Sequence, residues 1–414
     1  MKIRVIGTGA AGNKAAINLI EKGIMDKERI MLLNSTLRDI PENYKSLGIK
    51  FSNTIGGCGK ERDLAKNLCL GSFKDGTLST IDTFFEPDDE ACVIVNSSEG
   101  GTGCGSACVI GKYISQVIGL KVIYIVFTGF EEDIRGLQNT IEYFQDLNED
   151  CTVQAISNRK FLDETNGNKI KAEKLANDEF ATRISVLTAM GIVDSEQNID
   201  ETDMYKVATM PGFMTIGKVK LDKIKNQEQF NKILTNMVDN DKSLDISIKS
   251  QKRLAVFINA KEETIDNIDY NFSVLKNKLG VPYEVFNHIQ YNEEQPEFIS
   301  FISAGMKMPI DEVKEVYEKY KKETDKVNKA KDNFFNFASE LKGNSEDSLF
   351  NIGGVPESKR TTVDKVSFFD SFDKELGNEL TPRVTEVKST STITGKFNNT
   401  ENKVSKEEFL KDNF

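Results

Sequence analysis

Two glycine-rich stretches have the residue types and spacing that bind phosphate. Residues 7 to 13 read GTGAAGN, and residues 96 to 107 read NSSEGGTGCGSA. Glycine adopts backbone angles closed to other residues and lets a ligand approach closely, so such loops can crowd main-chain N–H groups around phosphate oxygens. Each stretch lies between a strand-like apolar run and a helical pattern, and helix N-termini favour anions. The two stretches predict one phosphorylated ligand held from both sides; the alternative for the second is a close-packed turn beneath its helix.

The first stretch also has the GxGxxG spacing of a dinucleotide-binding loop, through Gly7, Gly9 and Gly12. A dinucleotide enzyme should also carry Asp or Glu at the end of its second strand to bind the ribose. Here the run RIMLLN ends in Asn34, and Asp39 comes too late. A dinucleotide oxidoreductase therefore remains an alternative with weaker support. The second stretch does not contain GxxxxGK(S/T), which excludes a standard P-loop NTPase.

Asp200 and Asp203 form a further candidate group, three residues apart at the start of a predicted helix. This spacing puts both carboxylates on one face of the helix. They could orient a water molecule for attack on a phosphate, or they could cap the helix N-terminus, where the dipole favours acids. Spacing alone favours the capping role.

The elements that must position these groups alternate between strand and helix through the first two hundred residues. Strand-like runs recur at IRVIG, RIMLLN, ACVIVN, KVIYIVFTG and CTVQAISN, separated by helical patterns. This alternation predicts βαβ units and a parallel, Rossmann-like sheet with helices on both faces. From about Met204, GFMTIGKVKL, RLAVFINA, YEVFNHIQY and EFISFISAGM predict a second, smaller α/β domain with a mixed sheet. The short NEEQP between the last two runs suits a hairpin.

Composition limits the class of protein. The chain has 414 residues and a net charge of −11, which argues against broad nucleic-acid binding, so any link to DNA must be local or indirect. Six cysteines without a CxxC pair, and a single histidine, argue against a zinc site and a disulfide framework. No apolar run approaches a membrane span, and MKIRVIGTG leads directly into a strand. We therefore expect no membrane association, no secretory signal and a reducing cytoplasm.

In the order of its motifs the chain resembles the tubulin/FtsZ superfamily. GTGAAGN and SEGGTGCGSA are similar to that family's nucleotide-binding loops, with Glu99 in place of a glycine and Cys104 in place of a threonine. The later motifs follow in the same order as NSTLRD, TIGGCGKE, GFEEDIRG, VQAISNRKFLDE and NIDETDMYKV. The resemblance covers roughly residues 1 to 305. The long charged helix and polar tail that follow look most like the TubZ branch of plasmid and phage partition filaments.

The resemblance implies GTP or GDP as the ligand, with Mg²⁺ whose protein ligands are left unknown. It maps Glu131 to the ribose, Arg135 to the phosphates and Asn158 to the sugar or base. The residue that recognises guanine is either Asn177 or Asp178, because the motif can be aligned with the family in two registers that differ by one residue. The residues implied to contact the nucleotide are Gly9, Ala10, Ala11, Asn13, Asn34, Gly56, Gly57, Gly100, Gly101, Thr102, Gly103, Cys104, Gly105, Glu131, Arg135, Asn158, Asn177 and Asp178.

The resemblance also implies a GTPase whose site is completed by its neighbour. The motif NIDETDMYKV carries Asn198, Asp200 and Asp203; in that family these acids reach into the pocket of the next subunit and polarise the attacking water. A head-to-tail filament with assembly-dependent hydrolysis follows. The implied role is partition of plasmid or phage DNA in a bacterial cytoplasm, with DNA reached only through an adaptor protein on the C-terminal tail. The alternative is an FtsZ-like or phage-tubulin-like filament for cell division or phage-particle positioning.

The predicted organisation has five parts. They are a GTP-binding domain (1–170), a core helix with the catalytic loop (171–203), a second, activation-type α/β domain (204–308), a C-terminal helix (309–342) and a flexible tail (343–414). The tail is rich in Ser, Thr, Asn, Lys and Gly and has few aliphatic residues. Its last stretch, VSKEEFLKDNF, has a serine cap signal and two phenylalanines at near-helical spacing, which suits folding onto a partner.

Overall fold

The computed structural model describes most of the chain. The described residues are 1–51, 56–130, 133–147, 150–189, 199–221, 224–244, 249–266, 268–269, 272–291, 293, 296–307, 310–343 and 403–413. The chain divides into two compact units, Met1–Lys326 together with Phe397–Phe414, and Val327–Lys396. Of the second unit only residues 327–343, the end of one long helix, are described.

Ten strands form one sheet among the described residues. In chain order they are β1 (Ile3–Thr8), β2 (Ile30–Asn34), β3 (Gly48–Lys50), β4 (Ala91–Ser97), β5 (Lys121–Thr128), β6 (Thr152–Ser157), β7 (Gly212–Lys220), β8 (Arg253–Ala260), β9 (Glu284–Tyr291) and β10 (Phe298–Met306). Their order across the sheet is β3-β2-β1-β4-β5-β6-β7-β10-β8-β9. The first seven run parallel, β10 is antiparallel to both β7 and β8, and β9 is parallel to β8.

Thirteen α-helices are described. They are α1 (Gly9–Glu21), α2 (Arg62–Lys74), α3 (Thr80–Phe84), α4 (Thr102–Tyr113), α5 (Ile134–Asp146), α6 (Asn158–Glu164), α7 (Lys169–Ala189), α8 (Glu201–Ala208), α9 (Gln227–Asp239), α10 (Glu262–Ile265), α11 (Ser273–Leu279), α12 (Ile310–Gly343) and α13 (Lys406–Asn413). A π-helical turn, Ile114–Ile118, continues α4. Within the described residues, no helix combines the length and apolar character needed to cross a membrane.

The parallel strands are buried because helices cover both faces of the sheet. β1, β2 and β6 are buried at every residue, as expected for strands covered on two sides. Neighbouring residues of one strand enter different cores: Val5 packs in the cluster that includes α1 and α7, and Ile6 in the cluster that includes α2 and α4. A third cluster lies between β8, β10 and the helices α9 and α11. The predicted α/β class, with a parallel Rossmann-like part and a mixed part, is confirmed.

The hairpin predicted across NEEQP is wrong. β8 lies between β9 and β10 in the sheet, so these two strands do not pair. The connection from β8 to β9 contains α10 and α11, and a helical crossover of this kind is what a parallel pair needs. β9 therefore takes the outer edge beside β8, and the chain returns to place β10 between β7 and β8.

Candidate nucleotide-binding site

Two helix N-termini meet at the carboxyl edge of the sheet. α1 begins directly after β1, and α4 begins after β4, which pairs with β1 in parallel. The first N–H groups of a helix have no partner within that helix, and the helix dipole favours negative charge at this end. The fold therefore brings two anion-binding helix ends side by side.

Gly9 and Gly103 let the two loops touch through their backbones. Gly9 has a φ of +72°, and a Cβ at this position would lie 2.7 Å from the amide nitrogen of Gly103. In the opposite direction, a Cβ at Gly103 would lie 2.7 Å from the carbonyl oxygen of Thr8. Neither distance leaves room for a side chain, so only glycine permits this approach at both positions.

Polar side chains tie the loops together beneath the helix ends. The hydroxyl oxygens of Thr8 and Ser106 lie 2.5 Å apart, and those of Ser35 and Thr102 lie 3.1 Å apart. Asn34 lines the cleft beside them, is 2% exposed, and its Nδ2 donates to no atom of the described chain. A buried donor is normally satisfied by protein, water or a ligand. Asn34 therefore offers a hydrogen bond to an acceptor in the cleft.

A cleft runs from these helix ends along the carboxyl edge. The part beside the helix ends, here called the phosphate end, has a volume of about 250 Å³ and is lined by Thr8, Gly9, Ala10, Ala11, Asn34, Thr36, Asp39, Gly57, Ser97, Gly100, Gly101, Thr102 and Gly103. The other part, here called the base end, has a volume of about 290 Å³ and is lined by Ala10, Ala11, Lys14, Lys60, Ser97, Glu99, Gly100, Phe127, Gly129, Phe130, Asn158, Glu173, Ala176 and Asn177. The shared lining makes them one groove, on the scale of a small-molecule site.

Asn158 and Asn177 lie in the base end of the cleft. Asn158 is the first residue of α6, directly after β6, and Asn177 lies on α7. Asp178 does not line the cleft, because its carboxylate accepts a hydrogen bond from Asn18 at 3.3 Å and pairs with Lys22 at 3.0 Å. Of the two residues left open by the sequence, the structure brings Asn177 to the cleft.

Glu173 and Lys14 line the base end, although the sequence analysis does not assign them. Glu173 lies one helical turn before Asn177, and its carboxylate is 3.6 Å from the ammonium of Lys14 on α1. A carboxylate and an amide on one helix face can accept from and donate to the edge of a purine base. The sequence could have indicated Glu173, because residues four apart on a helix share a face and Glu173 is four residues before Asn177.

The charged residues around α5 are paired with one another. Arg135 pairs with Glu61, its Nη1 donates to Gln138 at 3.2 Å, and it does not line the cleft. Lys60 does line the cleft, and its ammonium pairs with Asp133, the N-cap residue of α5. A hydrogen bond from Lys60 lowers the pKa of Asp133, and one from Arg135 lowers the pKa of Glu61. Lys60 is thus a cation of the cleft wall that the sequence analysis does not assign.

Cys104 and Gly105 have structural partners within the fold. The Gly105 amide donates to the Gly101 carbonyl at 2.9 Å, and a Cβ at Gly105 would collide with the carbonyl of Arg62 on α2. The Cys104 thiol is buried and donates to the Asn139 carbonyl at 3.2 Å, and burial raises its pKa. Neither residue lines the cleft. What α4 offers a ligand is therefore its main-chain amides before Gly105.

The remaining predicted contacts divide between cleft and scaffold. Those that line the cleft are Ala10, Ala11, Gly57, Gly100 and Gly101. Asn13 is 1% exposed, and its Nδ2 donates to the Leu33 carbonyl at 3.3 Å, so it holds α1 against β2. Gly56 is exposed and outside the cleft lining. Glu131 lies outside the described residues.

Asp200 and Asp203 lie at the opposite, amino edge of the sheet. Asp200 is the N-cap residue of α8: its Oδ1 accepts from the Asp203 amide at 2.7 Å, and Asp203 Oδ1 is 3.2 Å from Lys206 Nζ. The Lys206 carbonyl accepts from Arg253, the first residue of β8, at 2.8 Å. β8 has the same direction as β1, so its first residue marks the amino edge. Neither aspartate lines the cleft, and Asn198 lies outside the described residues.

α7 spans the distance between the two edges. Asn177, in its first half, lines the cleft, whereas Thr188, near its end, lines a depression together with residues Met1 to Ile3 at the start of β1. A helix rises about 1.5 Å per residue, so these two positions are roughly 16 Å apart along the axis. The chain that continues from this end of α7 leads to Asp200.

Residues whose side-chain oxygens suit a divalent cation line the phosphate end. They are Thr36, Asp39 and Thr102. Mg²⁺ bound with a nucleotide keeps several waters and takes phosphate oxygens, so one or two protein oxygens suffice. Across the residues that the structure describes, no cluster of three or more His, Cys, Asp and Glu side chains could hold a metal by itself. The site therefore fits a cation that arrives with a phosphorylated ligand.

In comparisons of sequence, the chain is similar to archaeal cell division proteins, and no family model matches it. It is 28% identical over 232 residues to FtsZ 2 of Methanocaldococcus jannaschii, a match that covers 53% of this chain and 57% of that protein. It is 23% identical over 328 residues to FtsZ 1 of Thermococcus kodakarensis, covering 77% of this chain and 84% of that protein. The match thus spans little more than half the length of the first relative and most of the second.

In comparisons of structure, the chain superposes on filament-forming proteins. The GTPγS-form protofilament of TubZ from Bacillus thuringiensis serovar israelensis gives a TM-score of 0.65 at 16% identity, over 82% of this chain and 94% of that chain. The GTPγS-bound protofilament of CetZ2 from Haloferax volcanii gives 0.64 at 18% identity, over 79% of this chain and 100% of that chain. At these identities the match shows a shared fold.

Proposed function

We propose that this chain is a member of the tubulin/FtsZ superfamily, and that it binds GTP and hydrolyses it in a head-to-tail filament. The observation that supports this is the placement of two groups at opposite edges of one sheet. The cleft opens at the carboxyl edge, and Asp200 and Asp203 lie at the amino edge. When copies stack head to tail, the amino edge of one faces the carboxyl edge of the next, so the acids meet the neighbour's cleft.

In this proposal the cleft binds and orients the nucleotide. The amides at the starts of α1 and α4 hold the phosphates, because two helix N-termini point at one place. Asn34 donates its buried Nδ2 to a phosphate or ribose oxygen. Asn177 and Glu173 read the base from one face of α7. Positioning of this kind is most of what phosphoryl transfer requires from a protein.

Hydrolysis additionally needs positive charge and an oriented water molecule at the third phosphate. A bound Mg²⁺ would neutralise phosphate charge beside Thr36 and Asp39 at the phosphate end, whereas Lys60 lines the base end and is paired with Asp133. The acid that orients the water comes from the adjacent subunit. Asp200 uses Oδ1 to cap α8, which leaves Oδ2 for the water. Hydrolysis then depends on assembly, because one chain alone does not bring this carboxylate to its own cleft.

As cargo we propose plasmid or phage DNA, reached through an adaptor protein on the C-terminal tail. Two features support this: the chain shares its fold with TubZ, and residues 382–406 are net basic within an acidic chain. A cell-division or particle-positioning filament is the alternative, since its sequence relatives are cell division proteins. Imaging labelled filaments together with a labelled plasmid distinguishes the two.

The test is GTP hydrolysis per subunit measured over a series of protein concentrations, with light scattering recorded in parallel. For the wild-type chain we expect a threshold concentration above which both signals rise together. Asp200→Asn keeps an N-cap, because asparagine caps as well as aspartate, but removes the charge. We expect this variant to bind GTP and scatter light normally while hydrolysis falls roughly hundredfold, the scale of a lost general base.

Asp239→Asn provides the matched control, because it removes the same charge from an exposed position on α9. It should hydrolyse GTP at the wild-type rate. Hydrolysis that is independent of concentration, or a wild-type rate in Asp200→Asn, would contradict a site shared between subunits.

A further inference from the structure

The C-terminal helix α13 packs against α2 and α4, of which α4 begins at the cleft. Phe409 is 1% exposed, and its ring centroid lies 5.3 Å from that of Tyr113 on α4 and 6.2 Å from that of Phe73 on α2. Both rings meet it edge to face, an arrangement that aromatic pairs favour. Val404 and Leu410 add partly buried contacts to the same core. We call the surface between α2 and α4 that α13 fills the tail groove.

Polar contacts fix the position of the segment in the tail groove. Lys406 lies 3.2 Å from one carboxylate oxygen of Asp82, and the Tyr113 hydroxyl donates to the other at 2.5 Å. The Val404 amide donates to the Gln116 carbonyl at 2.9 Å. Gln116 belongs to the π-helical turn after α4. An aromatic anchor, an ion pair and a main-chain hydrogen bond together define one docked position.

The contact between α13 and the tail groove is small, and α13 is too short to be a stable helix by itself. α13 has eight residues, of which only Phe409 is buried, and helices shorter than about 12 residues are marginal in water. The Lys406–Asp82 pair is a third exposed on each side, at 33% and 37%, so solvent screens it. Helix formation and docking are therefore one step, which can open while the rest of the unit stays folded.

A long stretch of sequence connects α12 to α13. Residues 344–402 separate α12 from Lys403, whereas the C-terminal residues belong to the same compact unit as Met1–Lys326. Docking through a tether is governed by an effective concentration rather than by the concentration of free chains. A contact that is weak between separate molecules can therefore be occupied within one chain.

We propose that α13 is a detachable ligand of its own chain and that the tail groove is its binding site. While α13 is docked, its apolar face around Phe409 is covered and unavailable to other molecules. A protein that captures this face must compete with the tail groove, and its binding exposes Phe73 and Tyr113. The competition with an adaptor rests on the proposed function, but the docking itself does not.

Hydrogen–deuterium exchange on the full chain, without nucleotide, tests the docking. In the wild type we expect slowed exchange of the amides of residues 406–413 and 110–119. In Phe409→Ala we expect both segments to exchange about tenfold faster, because the anchor is lost and local opening controls exchange. Lys411→Ala alters an exposed residue of the same helix and should change neither segment. Wild-type tail amides that exchange at the unstructured rate, or equal protection in Phe409→Ala, would overturn the proposal.

A second measurement identifies the occupant. A peptide of residues 403–414, added at millimolar concentration to the Phe409→Ala chain, should restore protection of residues 110–119. The same peptide with alanine at position 409 should not restore it, and no restoration by the wild-type peptide counts against a detachable ligand. Protection in the wild type that falls on dilution would show docking between two copies and overturn docking within one chain. Because no readout involves GTP, failure here is distinct from failure of the proposed GTPase.

Discussion

At the scale of single residues, two neighbours on α7 have different surroundings. Asn177 lines the base end of the cleft, whereas the Asp178 carboxylate lies against Asn18 and Lys22. A side chain whose partners are already within the protein has less to offer a ligand. We therefore propose that Asn177 is the residue that recognises the base.

Asn177→Ala should weaken GTP binding about tenfold or more. A lost hydrogen bond costs about 1 to 2 kcal/mol, and each 1.4 kcal/mol is a factor of ten in affinity. Asp178→Ala removes a partly exposed ion pair with Lys22 and a hydrogen bond from Asn18, neither of them in the cleft, and should change the affinity less than about twofold. Titration of each variant with a fluorescent GTP analogue measures the difference. Weakening by Asp178→Ala with normal binding by Asn177→Ala would reverse the assignment.

The sequence identifies which residue types form the site better than it identifies which atoms face the ligand. The glycines at 9 and 103 could be recognised because close backbone contact demands glycine. Gly105 belongs to the same motif, but the contact that excludes a side chain there is with α2. The family resemblance of NSTLRD implies Asn34, and only the structure shows that its donor is unsatisfied. Contacts between distant segments are not encoded in local spacing.

At the scale of elements, apolar runs and helical periodicity predict where the strands and helices lie in the sequence. Which elements lie next to each other in the fold depends on long-range packing. The parallel strands could be read because burial on both faces requires continuous apolar sequence. The position of β10 between β7 and β8 could not be predicted from the sequence. A short linker between two strand runs can form a hairpin, or it can carry the chain back to another place in the sheet, and the sequence does not distinguish the two. The serine cap and aromatic spacing of α13 were visible, but its surroundings on α2 and α4 were not.

Asp133 links two elements of the cleft wall and makes stability depend on pH. It caps α5 and pairs with Lys60, which lowers its pKa. A carboxyl whose folded pKa lies below its unfolded value near 4 stabilises the fold fully above that value, and the contribution is lost as pH falls through the folded pKa. Asp133→Asn keeps the cap but loses the ion pair. We expect it to melt below the wild type at about pH 7, with the difference shrinking below about pH 4.

Thermal unfolding of both chains between about pH 3 and pH 7 measures this difference. Asp266→Asn changes the same charge at an exposed position and is the control. A gap between wild type and Asp133→Asn that stays constant down to the lowest pH would show that the ion pair does not contribute.

At the scale of the whole molecule, the cleft and the acidic pair occupy opposite edges of one sheet, separated by the length of α7. In the proposed mechanism, a single chain therefore carries the two halves of the hydrolytic site at opposite edges, where they cannot meet. Contacts of this head-to-tail kind repeat along an axis and form filaments unless the rotation closes a ring. In the proposed mechanism, each interface combines the cleft of one subunit with Asp200 of the next.

Two inactive variants should therefore restore activity to each other. The Asn177→Ala variant still carries Asp200, but it is used at a GTP concentration too low to fill its weakened cleft. The Asp200→Asn variant binds GTP but lacks the acid. Mixed together, an Asn177→Ala subunit can present Asp200 to the loaded cleft of an Asp200→Asn subunit. We expect phosphate release from the mixture to exceed the sum of the two separate rates at the same total protein concentration. If phosphate release from the mixture equals the sum of the two separate rates, each chain completes its own site. In that case one subunit does not supply Asp200 to the cleft of another.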